Sequence, residues 1–225
     1  FDGQYDWMHS NAFHFDAEES VIYFSSRHLS RVTKIDYPSG EIIWMIGMPP
    51  EFNTGDQHIC TELGFTWQHN VQLLENGNIL LFDNGNLSGL FGDPETTRVL
   101  EFQVIDDSYC EMVWEYTLPN YLHGPWMGSA QLLDNENYLI TTVGDYGHSI
   151  EVNQLSEIVW DLQYKVGELN LGSIYRANRI TSLFPTRYSI ISNDLKSGQI
   201  AITSEDFSID FTINNDGSET EEFSY

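Results

Sequence analysis

Basic residues are scarce. Three lysines and six arginines stand against 34 aspartates and glutamates in a chain of 225 residues, for a formal charge of −25. Such a chain offers no basic surface for phosphates, so nucleic acid is excluded as a partner. An acidic surface of this kind keeps a protein soluble in a saline habitat. It also repels anionic ligands except where local bases gather, so each Arg near a site is informative. Long apolar runs are missing too, none approaching the roughly 18 residues of a transmembrane helix, and no membrane span is expected. Only two cysteines occur, Cys60 and Cys110. They make no metal motif, and their spacing leaves open a disulfide, which would suit an exported protein, or two buried thiols. No segment keeps a capped 3.6-residue apolar period, so helices should be few and short. The Gly-x-Ser-x-Gly elbow, the Walker loop and the dinucleotide fingerprint are all absent, which argues against hydrolases and NTPases of those types. No cofactor is expected.

Apolar residues are present in quantity, 41 % of the chain with 14 % aromatic, enough for a substantial core. They recur in a pattern. Glu41-Ile-Ile-Trp44, Glu111-Met-Val-Trp114 and Glu157-Ile-Val-Trp160 share one ending. Upstream, Gln72-Leu-Leu-Glu-Asn-Gly-Asn78 and Gln131-Leu-Leu-Asp-Asn-Glu-Asn137 each read as strand, polar turn, strand, and residues 11–24 are a looser copy. Four short strands need about 40–45 residues per propeller blade. Blades are therefore predicted near 1–47, 64–118 and 122–163, with a partial one from about 170. The fold class is all-β, a partial β-propeller of about four blades. A β-sandwich would also show regular short strands, but the repeated Glu-apolar-apolar-Trp ending favours the propeller. Residues 1–185 read as blades, and 186–225 as the remainder of a last blade or the start of a C-terminal β-sandwich. The chain opens at Phe1 with no signal peptide and breaks off inside a predicted strand at Tyr225, which reads as a piece of a longer protein.

Two of the seven histidines precede the first strands of successive repeats, His9 in Asp6-Trp-Met-His9-Ser-Asn11 and His69 in Trp67-Gln-His69-Asn70. Both are expected at the channel mouth, with Arg27 turned toward the same space. An Arg, two His and the neutral donor Asn11 make a plausible anion-binding group, because the Arg fork matches sulfate or phosphate oxygens. A neutral imidazole can also attack sulfur or phosphorus and form a covalent intermediate. A metal site of His9, His69 and Asp83 is the competing arrangement; there is no His-x-His pair, and no metal is expected. Asp83-Asn84-Gly85-Asn86 looks like an acidic calcium loop but lacks the later Glu, and a turn explains it as well.

These segments together resemble the bacterial arylsulfotransferase family: His9-Ser-Asn11, Ile22-Tyr-Phe-Ser-Ser-Arg27-His28, Gly40-Glu-Ile-Ile-Trp44, Gln68-His69, Phe82-Asp-Asn-Gly85, Gly128-Ser-Ala-Gln131 and Tyr175-Arg-Ala-Asn-Arg-Ile180. The resemblance runs from about residue 5 to 185. It implies a six-bladed, usually exported propeller, periplasmic or secreted, with a homodimer for the full-length protein. It also implies sulfuryl transfer from a phenolic sulfate ester to a phenolic acceptor through a sulfohistidine, with no nucleotide sulfate donor. By the same resemblance His69 is the nucleophile, and His9, Asn11 and Arg27 bind the sulfuryl oxygens. No Lys stands near 125–130, where some members have one; Arg176 is expected to substitute, binding substrate together with Asn84. Two alternatives stay open: a non-catalytic exported binding propeller, and a hydrolase that passes the sulfuryl group to water.

Overall fold

Three consecutive segments each fold into a four-stranded antiparallel meander. The computed structural model describes residues 6–52, 57–143, 147–164, 174–180, 188–192 and 211–215. The first sheet contains β1 (Ser10–Asp16), β2 (Val21–Ser26), β3 (Arg31–Asp36) and β4 (Ile42–Gly47), paired in that order. The second contains β5 (His69–Leu73), β6 (Ile79–Asp83), β7 (Arg98–Ile105) and β8 (Tyr109–Thr117), and the third β9 (Trp126–Leu132), β10 (Tyr138–Val143), β11 (Gly147–Val152) and β12 (Ile158–Tyr164). These are three propeller blades; the first two fall inside the predicted segments, and the third runs one residue past its predicted end at 163. Among the described residues the only helices are 3-10 turns of three or four residues. A separate unit, 179–225, contains the two-stranded pair β13 (Tyr188–Ile191) and β14 (Thr212–Asn215). Most of the expected fourth blade lies outside the described residues.

Local chemistry explains the hairpins. The turn before β6 places Gly77 at φ +82, where a residue without a Cβ is at ease. Asn76 Oδ1 accepts the Asn78 N–H at 3.0 Å, an Asx turn. The turn before β10 repeats this, with Asn135 Oδ1 accepting the Asn137 N–H at 3.2 Å. Both asparagines of each turn then donate to one carboxylate two strands along, Asn78 to Glu101 at 2.5 Å and Asn137 to Glu151 at 2.6 Å. The repeated Trp does a different job. Trp44 is buried and donates from Nε1 to Asp107 in the β7–β8 turn at 2.8 Å, and Trp114 stacks on Tyr138 at 3.7 Å between centroids. Each docks its own blade onto the next.

The middle blade is buried on both faces. Along β6, Ile79 and Leu81 join Val21, Val32 and Ile46 in one core, while Leu80 and Phe82 join Tyr138, Ile140 and Ile150 in another. That is the period-two alternation of a strand between two layers. The outer faces are less covered, with Phe13 on β1 71 % and Val159 on β12 53 % exposed.

Cys60, in the connection between β4 and β5, forms a disulfide with Cys110 of β8, closing the choice left open by spacing. Asp83 closes another. It is fully buried, accepts from Arg98 Nε at 2.9 Å and Nη2 at 2.7 Å, and takes the Thr66 and Gly85 N–H groups at 2.9 Å each. It is therefore unavailable to a metal shared with His9 and His69. The loop 83–86 is a structural turn: Gly85 sits at φ +69, and a Cβ there would lie 1.8 Å from the Thr96 carbonyl.

Candidate active site

The first strand of each of the three described blades carries a bulge near its start. Register shifts between Ser10 and Ala12, between His69 and Gln72, and in β9 opposite Thr141–Val143. Bulges re-aim side chains at strand ends, here at the end of the blades where β1, β5 and β9 begin. The bulges are not placed alike. His69 is the first residue of β5 and pairs with Phe82, whereas His9 precedes β1 and its carbonyl accepts the Arg27 N–H at 3.0 Å. The two histidines therefore reach one mouth from different register positions, contrary to the equivalence expected from the repeat.

His69 is 3 % exposed. Its Nδ1 lies 2.7 Å from Asn84 Oδ1. The Asn84 amide group donates to two carbonyls, Gly124 at 2.7 Å and Met127 at 2.8 Å, so its NH2 faces away and its oxygen faces His69. An amide oxygen only accepts, so the His69 proton sits on Nδ1 and the lone pair on Nε2. Burial pushes the His69 pKa down to about 4, with Arg27, His9 and Arg176 adding to the fall and the Asn84 bond opposing it. The imidazole is neutral at pH 7 and has its lone pair on the ring nitrogen away from Asn84.

Arg27 opens a 3-10 turn after β2 and is 8 % exposed. Its guanidinium lies 4.1 Å over the Trp67 ring, a cation–π contact that holds a planar fork in place, and Nη2 reaches the Pro125 carbonyl at 3.5 Å. Burial lowers its pKa from the usual value, which still leaves it charged at neutral pH. Asn11 spends one amide N–H on the Gln68 carbonyl at 2.7 Å, next in chain to His69, and its Oδ1 is buried with no partner among the described residues. Arg176 donates to the Asn11 carbonyl at 3.3 Å. His9 is more open. Its Nδ1 is hydrogen-bonded to Asp6 Oδ2, its N–H donates to Asp6 Oδ1 at 2.9 Å, and its ring lies 4.6 Å from that of His28. The bond to His9 holds the Asp6 carboxyl below the usual range, so Asp6 is ionised.

The other five expected residues, His9, Asn11, Arg27, Asn84 and Arg176, thus gather around His69. Asn84 does so as the partner that fixes the His69 tautomer, with its own polar atoms already engaged, rather than as a group open to substrate. Sequence reasoning missed Asp6, Trp67 and Tyr175, whose ring meets the His69 ring edge-on at 6.2 Å. Asp6 was legible as a carboxylate three residues before His9; the other two become visible only in three dimensions. A cavity of about 500 Å³ lined by Leu63, Phe91, Asp93, Arg98 and Glu115 holds none of these residues.

Fold and site together define an all-β propeller with a buried, neutral histidine among cationic side chains. The arylsulfotransferase (ASST) family model matches residues 2–181, and the chain belongs to that family. No curated protein matches. Among solved structures, the chain is similar to a protein of unknown function from Bacteroides caccae (14 % identity, TM-score 0.45, covering 68 % of this chain and 45 % of that one). It is also similar to a streptogramin B lyase (14 %, TM-score 0.41, 75 % and 44 %). A third is the Myceliophteria thermophila Cps50 (Swd1) β-propeller domain (13 %, TM-score 0.44, 69 % and 41 %). The chain thus spans less than half the length of each.

Proposed function

We propose that this chain carries the sulfuryl-transfer centre of an aryl-sulfate sulfotransferase that uses no nucleotide donor. The observation that supports it most is the His69–Asn84 pair: a buried imidazole, neutral at pH 7, with Nδ1–H committed to Asn84 and a lone pair on Nε2. In the first step His69 Nε2 attacks the sulfur of a phenolic sulfate ester. The S–O bond to the ring breaks, and the phenolate leaves with the electron pair. Sulfuryl transfer, like phosphoryl transfer, proceeds through a loose transition state with charge on the peripheral and leaving oxygens. Arg27 and Arg176 supply positive charge, and the remaining Asn11 N–H a neutral donor, to the peripheral oxygens. His9, when its Nε2 carries a proton, gives it to the phenolate, and Asp6 holds the ring for that task. In the second step an acceptor phenol attacks the sulfohistidine sulfur, the S–N bond breaks, and the phenol proton passes to His9. Two chemically similar steps predict ping-pong kinetics.

The same reading places the protein in an oxidising compartment, periplasmic or secreted, where the Cys60–Cys110 disulfide persists. Residues 1–185 would be the catalytic blades and 186–225 a last-blade remainder or appended sandwich. The test is direct. Incubation with 4-nitrophenyl sulfate should add a sulfuryl group to the His69 peptide, and a phenol should then remove it. A peptide that stays unmodified sinks the nucleophile assignment, and release to water alone makes the protein a hydrolase.

A further inference from the structure

Among the described residues, Asp6, His9 and His28 form a cluster in which one ligand atom from each lies within 4.8 Å of the others. Two strand ends build it. The β1–β2 ladder continues beyond its strands through Arg27 N–H to the His9 carbonyl at 3.0 Å and His28 N–H to the Met8 carbonyl at 3.2 Å, which sets the two histidines side by side. Their rings lie 4.6 Å apart and inclined by 34°. His28 Nδ1 lies 2.7 Å from the Asp6 carbonyl oxygen. A carbonyl only accepts, so this nitrogen donates and the His28 lone pair is on Nε2. A ring nitrogen that donates to a backbone carbonyl while the other keeps its lone pair is the arrangement that orients imidazole ligands in metal sites.

We propose that Asp6, His9 and His28 bind a divalent transition metal, and that this metal shares His9 with the sulfuryl centre. Two imidazoles and one carboxylate suit zinc, copper or nickel rather than calcium or magnesium, which prefer all-oxygen ligands. Tetrahedral zinc with bonds of about 2 Å holds its donors roughly 3.3 Å apart. The cluster therefore closes by about 1.5 Å at most, a shift that side-chain rotation of the two exposed members, Asp6 and His9, can supply. The formal charge of −25 concentrates cations around the chain. On binding, the metal takes the His9 Nδ1 lone pair and an Asp6 oxygen in place of the hydrogen bond between them, and the one proton of the neutral ring moves to Nε2. His9 can then no longer become an imidazolium. The consequence for transfer rests on the reading above: a metal-loaded protein loses the acid that assists the leaving phenolate, so metal inhibits.

Titration of zinc chloride into the full chain by calorimetry tests the site without reference to activity. One zinc per chain is expected, as a saturable heat. His28→Gln, at a position outside the transfer machinery, should weaken binding at least tenfold, and Asp6→Asn, a change at an exposed residue, should do the same. No saturable binding overturns the proposal, as does equal affinity in His28→Gln. In transfer assays zinc should slow the wild type at the concentrations that load it, while His28→Gln keeps its zinc-free rate until about tenfold more zinc is present. One-to-one binding lost in His28→Gln, with no transfer by either protein, upholds the metal site and sinks the sulfuryl-transfer reading instead.

Discussion

His69 and His9 are the same residue type at one mouth, placed in opposite surroundings. His69 is 3 % exposed, bonded to a neutral amide and faced by cationic groups; His9 is half open and bonded to an ionised carboxylate. Burial and positive neighbours keep the first imidazole uncharged, which a nucleophile needs. The carboxylate beside the second occupies its Nδ1, which leaves Nε2 as the nitrogen that can exchange a proton with substrate. In the proposed transfer, the division of labour follows the partner on Nδ1 in each case.

The largest effect should come from removing the buried member. His69→Asn should cut aryl-sulfate turnover by at least about 10³-fold and abolish the sulfated peptide, measured by steady-state rates and mass spectrometry. Next is the scaffold beneath it. Arg98→Met leaves the Asp83 carboxylate fully buried with only two N–H partners, at a cost of about 3–5 kcal/mol in urea denaturation. Changing the partner on Nδ1 should convert one environment into the other. Asn84→Asp puts a carboxylate on His69 and raises its pKa above the present value of about 4. Wild-type activity should owe no loss to His69 protonation between pH 8 and pH 5, since the neutral form dominates throughout. The variant should lose about 10–100-fold on the acid side of that range, because the protonated imidazole has no lone pair to attack with. A flat profile for Asn84→Asp would break the comparison. Finally, His9→Gln should lower turnover about tenfold for phenols that leave poorly and less for 4-nitrophenolate, which needs little help.

Much of the fold was legible because its signals are local. The Asn-x-Asn turns and the Trp endings recur in sequence, and the turns make the same carboxylate contact in both blades where they recur, so the three blades could be bounded before any coordinates. Bulges are less legible. They depend on which residue the partner strand leaves unpaired, and this is why His9 and His69 read as equivalents but are not. Asn84 was expected near the substrate, as a polar residue in the Phe82-Asp-Asn-Gly85 motif. Its role depends on the Gly124 and Met127 carbonyls from the next blade's approach, which no local pattern encodes. Asp83 could stand in the competing metal arrangement for the same reason: Arg98, its counter-ion, is on the neighbouring strand.

The two-faced burial of β6 has a consequence in time as well as in energy. Its five residues are all buried, and it leads directly into Asn84. Backbone amides exchange with solvent through local openings, and the last to exchange are those held in the interior of a cooperative unit. The amides of Ile79–Asp83 should therefore keep their hydrogens longest, and those flanking His9, ahead of an edge strand whose Phe13 is largely open to water, should lose them early. Under the proposed transfer, the nucleophile is thus held against the slowest part of the molecule and the acid is carried on one of the fastest. A centre divided in this way can admit and release a bulky phenol through motion of the His9 side alone, with His69 and Asn84 undisturbed from one turnover to the next.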